Sequence, residues 1–170
     1  MEEPMSQDSL QKLRSLMKSN KFCMLTTNSS EKQMHSRPMT LQQTEFDGDL
    51  WFFTGRNTDV ASDIEADPRV NLSFSDGSSE FVSVSGTARF VDDAAKKREL
   101  WNDMYKTWFP GGLNDPNLLL MKVQVENAEY WDTPGAKVMQ LFGAIEMMVT
   151  HKPPASEHKE IDITQSQMSE

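Results

Sequence analysis

At 170 residues, with 17 Lys and Arg against 26 Asp and Glu and a formal net charge of -9, the chain fits one domain able to bury a core without metal or disulfide staples. That balance excludes a nucleic-acid surface, which needs a basic patch, and excludes adhesion to anionic lipid. The single cysteine, Cys23, excludes an internal disulfide, no apolar run approaches the roughly 20 residues that span a bilayer, and no basic-apolar leader opens the chain. The expected setting is therefore cytoplasmic, with a small molecule or another protein as partner.

Taken in order, Ser6 to Met17 predicts an amphipathic helix burying Leu10, Leu13 and Leu16 or Met17, a lid for one end of a barrel. Phe22 to Thr27 predicts a buried strand in which Cys23 is an inert core thiol, and Asn28-Ser29-Ser30 a polar hairpin loop. His35 to Leu41 alternates like a strand but carries Pro38, which cannot donate to a ladder and so marks an edge or a bulge. At such a place backbone groups are free to turn to a flat heterocycle. Arg37 adds a planar, permanently charged fork matched to phosphate oxygens; its plainer reading is an edge charge that contributes little to the core.

Asp47-Gly48-Asp49 predicts a turn closing a hairpin onto Leu50-Trp51-Phe52-Phe53, apolar enough for a core strand that ends at Thr54-Gly55. Asn57, Thr58 and Asp59 offer helix-capping chemistry ahead of a short helix with Val60, Ala61 and Ile64 on one side, stopped by Asp67-Pro68. A helix N-terminus beside Thr54, Arg56 and Arg37 suits a phosphate, because unpaired N–H groups and the helix dipole favour an anion, whereas the Asp59 carboxylate opposes one. Further on, Arg69 to Ser75 alternates with Val70, Leu72 and Phe74 on one face, and Glu80 to Val91 is a long strand in which Gly86 permits a bulge. Asp92-Asp93 then caps a predicted helix from Ala94 to about Tyr105, apolar at Leu100, Trp101, Met104 and Tyr105, with Lys96, Lys97 and Arg98 in water. Trp108-Phe109-Pro110-Gly111-Gly112 breaks that helix, and Leu118 to Asp132 alternates as a strand ending at Tyr130-Trp131. Gly135 to about Val149 predicts a last helix, Glu160-Ile161-Asp162-Ile163 a short edge strand, and Thr164 to Glu170 a disordered end. Strands joined mainly by short turns predict a largely antiparallel barrel, mainly β with helices at its ends.

His35, His151 and His158 have no partner at metal spacing, so no metal is predicted. The chain has no G-x-S-x-G elbow, no Walker loop and no G-x-G-x-x-G fingerprint, and no carboxylate pair is placed as acid and base. Any redox chemistry therefore falls to a bound cofactor.

The joint order of Cys23-Met24-Leu25-Thr26-Thr27, Ser36-Arg37-Pro38-Met39, Leu50-Trp51-Phe52-Phe53-Thr54, Ile64 to Asn71, Val84-Ser85-Gly86-Thr87-Ala88, Trp108 to Gly112, Asp115-Pro116 and Glu129-Tyr130-Trp131-Asp132 resembles the general stress protein 26 group of the pyridoxamine 5'-phosphate oxidase-like, FMN-binding split barrels. The resemblance implies a six-stranded antiparallel split barrel flanked by helices, covering residues 1–152 with a tail at 153–170. It also implies a homodimer with two flavin sites at the subunit boundary, the cofactor being FMN, with FAD as the other option. Carried over, Arg37 meets the phosphate, Ser36, Pro38 and Met39 lend main-chain contacts to the ring, Phe53 and Thr54 line the ring and ribityl-phosphate region, and Thr58 is a further phosphate contact. Trp108, Phe109 and Trp131 are assigned near the interface. Two departures stand out: the family pattern commonly has a lysine where this chain has Val60, and no arginine follows Arg98, so vitamin B6 oxidation is not implied. Three functions fit this reading: a flavin-dependent oxidoreductase, a flavin-binding stress protein without turnover, and a cofactor-free dimer that binds proteins.

Overall fold

The computed structural model describes residues 14, 15, 17–19, 21–42, 45, 46, 48–77, 79–132 and 157–162, with backbone alone for 132 and the last six. Its strands are β1 Phe22–Asn28, β2 Met34–Thr40, β3 Asp49–Gly55, β4 Arg69–Ser75, β5 Glu80–Val91, β6 Leu118–Asp132 and β7 Glu157–Asp162. With them are helices α1 Asp59–Ala66 and α2 Ala94–Leu100, two 3-10 turns, Asp103–Thr107 and Gly112–Asn114, and helical residues at 14, 15 and 17–19.

Every strand pairing is antiparallel, in the order β2-β1-β4-β5-β6-β3, with β7 added beside β6. The six strands curl into the expected split barrel. β6 makes the curl possible by its length: Leu118 to Gln124 pair with β3, and Asn127 to Asp132 on the same edge pair with β7. The two ends of the strand order meet at one backbone bond among the described residues, Gln42 N–H to Trp51 C=O at 3.0 Å, so the barrel closes there and stays open along β2.

Alternation puts Cys23 and Leu25, Leu50 and Phe52, Leu72 and Phe74, Val82 and Val84, and Met121 and Val123 into one buried cluster. Each large apolar side chain so removed from water contributes about 1.5–3 kcal/mol. At Gly86 the register with β6 slips by one residue, and a Cβ there would lie 2.1 Å from the Gln124 carbonyl oxygen. The bulge predicted at this glycine is present, and it lets backbone approach backbone where the sheet bends.

Other expectations need correction. β2 and β3 are not a hairpin: β2 pairs with β1 and β3 with β6, because the long β6 edge accepts the whole of β3 and the chain after Thr40 crosses the barrel end instead of turning back. The helix predicted from Ala94 to about Tyr105 stops at Leu100, where Trp101 adopts an extended backbone (φ -67, ψ 137) and Asn102 caps a fresh turn by accepting from Met104 N–H at 2.9 Å. Nor are Lys96 and Lys97 simply solvated. Their side chains are 20% and 18% exposed, and Lys96 lies 5.2 Å from the centre of the Trp51 ring, with Lys122 at 5.5 Å. Stacking on an aromatic face draws an ammonium down from solvent.

Of the predicted first helix, residues 14, 15 and 17–19 are helical, with Met17 buried in the core and Arg14 Nε donating to Phe46 C=O at 3.2 Å; the rest lies outside the described residues. The predicted helix at 135–149 also lies outside them, as does the end beyond residue 162. The last predicted strand is realised as β7. No helix of the described residues is long and apolar enough to cross a membrane.

Candidate functional site

The open edge of the barrel is β2, and its two faces differ. Ser36 and Pro38 point outward and are exposed, opposite Thr26 and Met24 in the register with β1, and Ser36 Oγ accepts from Thr26 Oγ1 at 3.2 Å. His35, Arg37 and Met39 lie opposite the inward-facing Thr27, Leu25 and Cys23, and Met39 packs on the core. Being last in the strand order, β2 has backbone groups along its outer edge that no ladder among the described residues uses.

Arg37 reaches across the barrel mouth to α1. Its Nη1 donates to Thr27 Oγ1 at 2.5 Å and its Nη2 to Asp63 Oδ2 at 3.0 Å, while Thr27 Oγ1 donates to the same Asp63 oxygen at 2.6 Å. His35 Nδ1 lies 3.5 Å from that oxygen. The reading of Arg37 as an edge charge with little part in the core is therefore corrected: Asp63 is 5% exposed and needs a charged partner. Burial alone pushes the Asp63 carboxyl upward, but the hydrogen bonds from Thr27 and Arg37, with the guanidinium charge behind them, outweigh it and hold the group below the usual carboxylate range.

Helix α1 begins as its sequence predicts. Thr58, in extended conformation, accepts from Ala61 N–H at 3.3 Å and donates to Gly55 C=O at 2.7 Å, and its hydroxyl lies 3.5 Å from that of the buried Thr54. Val60 is buried against the core, and Asp59 is exposed in the first turn. Thus Arg37, Thr54 and Thr58 do gather around one helix, with Arg37 bound one turn in from its start. Arg56 does not join them: its Nε donates to Pro116 C=O at 3.2 Å, on the far side of β3.

Phe53 faces out of the barrel into an aromatic trio, with ring centroids 5.9 Å from Trp101 and 5.7 Å from Tyr105, all edge to face. The three aromatics assigned to an interface occupy different settings. Trp108 is 67% exposed, Phe109 is 8% exposed, and Trp131 is half-buried opposite Phe81 on the outer side of β5 and β6.

Asp63 and Thr27 are the site residues that sequence reasoning missed. A signal existed: Asp63 lies three residues after the buried Val60, so a carboxylate sits on the flank of the apolar stripe, where a charge is costly unless paired. Trp101 and Tyr105, expected on the apolar side of a longer helix, instead pack around Phe53.

Comparison with known proteins bears on this arrangement. Residues 8–155 match the family described as "Pyridoxamine 5'-phosphate oxidase like". The chain is 34% identical over 152 residues to Protein bli-3 of Neurospora crassa, covering 83% of this chain and 73% of that one. It is 30% identical over 130 residues to General stress protein 26 of Bacillus subtilis, covering 71% and 86%. The crystal structure of a general stress FMN/FAD binding protein from Xanthomonas citri superposes with a TM-score of 0.64 at 31% identity, covering 75% of this chain and 90% of that one.

Proposed function

The chain belongs to the pyridoxamine 5'-phosphate oxidase-like family, and from that premise we propose that it is a flavin-binding general stress protein whose cofactor is FMN, with FAD as the alternative. The observation that carries the reading is the guanidinium of Arg37, fixed at 3.0 Å from Asp63 beside the helix whose N-cap is Thr58. Its donations to Thr27 and Asp63 use two of its five N–H groups, and a cation held one turn in from a helix entrance suits a phosphate. Along β2, the end strand among the described residues, Ser36, Pro38 and Met39 are assigned main-chain contacts to a heterocyclic ring, Pro38 through its carbonyl alone because it has no N–H, with Phe53, Thr54 and the half-buried Trp131 as further contacts. The exposed Trp108 and the buried Phe109 are assigned near the subunit boundary of the same site. When bound, the flavin supplies whatever redox chemistry occurs; this chain's residues bind and orient it, and the reading extends to a flavin-dependent oxidoreductase.

The same reading includes a homodimer. Phe22, Met24, Met34 and Phe81 are 70%, 42%, 73% and 48% exposed on the outward side of the sheet. An apolar sheet face of that kind on a charged chain suits cover by a second copy.

A second reading, a dimeric barrel that binds proteins and holds no cofactor, draws on three features. Asp63 already occupies Arg37, Asp59 is acidic at the helix start, and Val60 is buried where the family pattern commonly has a lysine. Titrating FMN fluorescence with purified protein separates the two. Saturable quenching that weakens at least about tenfold in Arg37→Ala, or roughly 1.4 kcal/mol, supports flavin binding; absence of quenching by the wild-type chain refutes it.

A further inference from the structure

A second recess lies beside the C-terminal end of β3. It is an open cleft of about 510 Å³ between the loop after β3, helix α2 and the Gly112–Asn114 turn, with Leu118 among its apolar walls. Arg56, Lys97 and Arg98 line it, bringing three cations together in a chain of formal net charge -9. Two carboxylates share the lining, but neither closely neutralises them. Asp115 is committed to its own loop, accepting Gly111 N–H and Asn117 N–H at 2.9 Å each. Asp92 has a 99% exposed side chain and meets Lys97 only at 4.0 Å.

Lys97 is only 18% exposed and has no nearer counter-ion among the described residues. Arg56 spends its Nε on the Pro116 carbonyl, which fixes the side chain, and its two terminal nitrogens have no partner among the described residues. A lowered ammonium and a braced fork next to a further guanidinium match the oxygens of a multiply charged phosphate better than a single carboxylate. The volume falls within the range of about 300–1,000 Å³ typical of small-molecule sites. A net-acidic surface repels anions at long range, so an anion that binds must be held by such a local cluster.

We propose that this cleft, whose lining shares no residue with the assigned flavin contacts, binds the phosphate groups of a small phosphorylated ligand. Pyrophosphate is a suitable probe, titrated calorimetrically at low ionic strength into the full chain, with and without saturating FMN. The expected result is saturable binding that falls at least about tenfold in the double variant Lys97→Ala, Arg98→Ala and at least about threefold in Arg98→Ala alone, where the substituted side chain is exposed and the fold is undisturbed. Arg37→Ala should leave pyrophosphate binding unchanged, and the cleft variants should leave FMN titration unchanged. The proposal is overturned if wild type shows no saturable heat, if the double variant binds equally well, or if pyrophosphate binding disappears with Arg37 instead. A protein that takes up pyrophosphate but no FMN would refute the flavin reading and leave this one standing.

Discussion

Arg37→Ala removes the guanidinium held 3.0 Å from Asp63 Oδ2 and leaves behind a carboxylate that is 5% exposed, with Thr27 at 2.6 Å and His35 at 3.5 Å as its remaining partners. Breaking a buried pair by deleting one member costs about 3–5 kcal/mol. The Arg37 side chain is 20% exposed, so water can enter its place and the loss should lie at the low end, about 3 kcal/mol. Asp63→Ala should cost about 2 kcal/mol, because the orphaned arginine can turn toward solvent. The double variant strands no charge and should also lose about 2 kcal/mol, giving a coupling of about 3 kcal/mol in the cycle. Urea denaturation of cofactor-free protein at neutral pH measures all four corners. The Asp63 carboxyl is depressed in the folded state, so its contribution is complete above the unfolded value of about 3.9 and is lost as pH falls through the folded one. The coupling should therefore fade in acid. Additivity within about 0.5 kcal/mol at neutral pH would refute the argument.

Gly86→Ala places a methyl group 2.1 Å from the Gln124 carbonyl and should cost about 3 kcal/mol in the same assay; a loss under about 1 kcal/mol would mean the bulge relaxes freely. Val60→Lys buries an ammonium at a 7% exposed position and should lower stability by about 2 kcal/mol or more, so unchanged stability would show that the side chain escapes the core. If a second copy covers the outward sheet face as proposed, wild type should sediment as a dimer and Met24→Glu, on the outward face of β1, as a monomer with unchanged circular dichroism; a monomeric wild type or a persisting dimer in the variant would refute that cover. Burial pushes the Cys23 thiol up to about 12, so it should resist a thiol reagent at pH 8 until the protein is unfolded; reaction in native protein at the rate of a free thiol would contradict its placement.

Fold and site were legible in the sequence to different depths. Strand positions could be read because alternation is local: Val70, Leu72 and Phe74, like Val82 and Val84, carry their own period wherever the strand lies. The Thr58 cap, the stop at Asp67 and the bulge at Gly86 were legible for the same reason, since each rests on the conformational limits of one or two residues. Strand partners were less so. The Asp47-Gly48-Asp49 turn looked like a hairpin, and only the length of β6 decided that β3 would pair there.

The site divides along the same line. Ser36 to Met39 stood out through Pro38 and Arg37, whereas Asp63 looked like one more solvent carboxylate on a short helix. Its partner Arg37 is 26 positions away and Thr27 is 36 away, so no window of local sequence contains the pair. Residue order thus determined which segments are strands, where α1 begins and ends, and that one strand would be an edge. Tertiary structure alone decided which charges meet, because burying a carboxylate is tolerable only when the fold brings a cation to it across the barrel mouth.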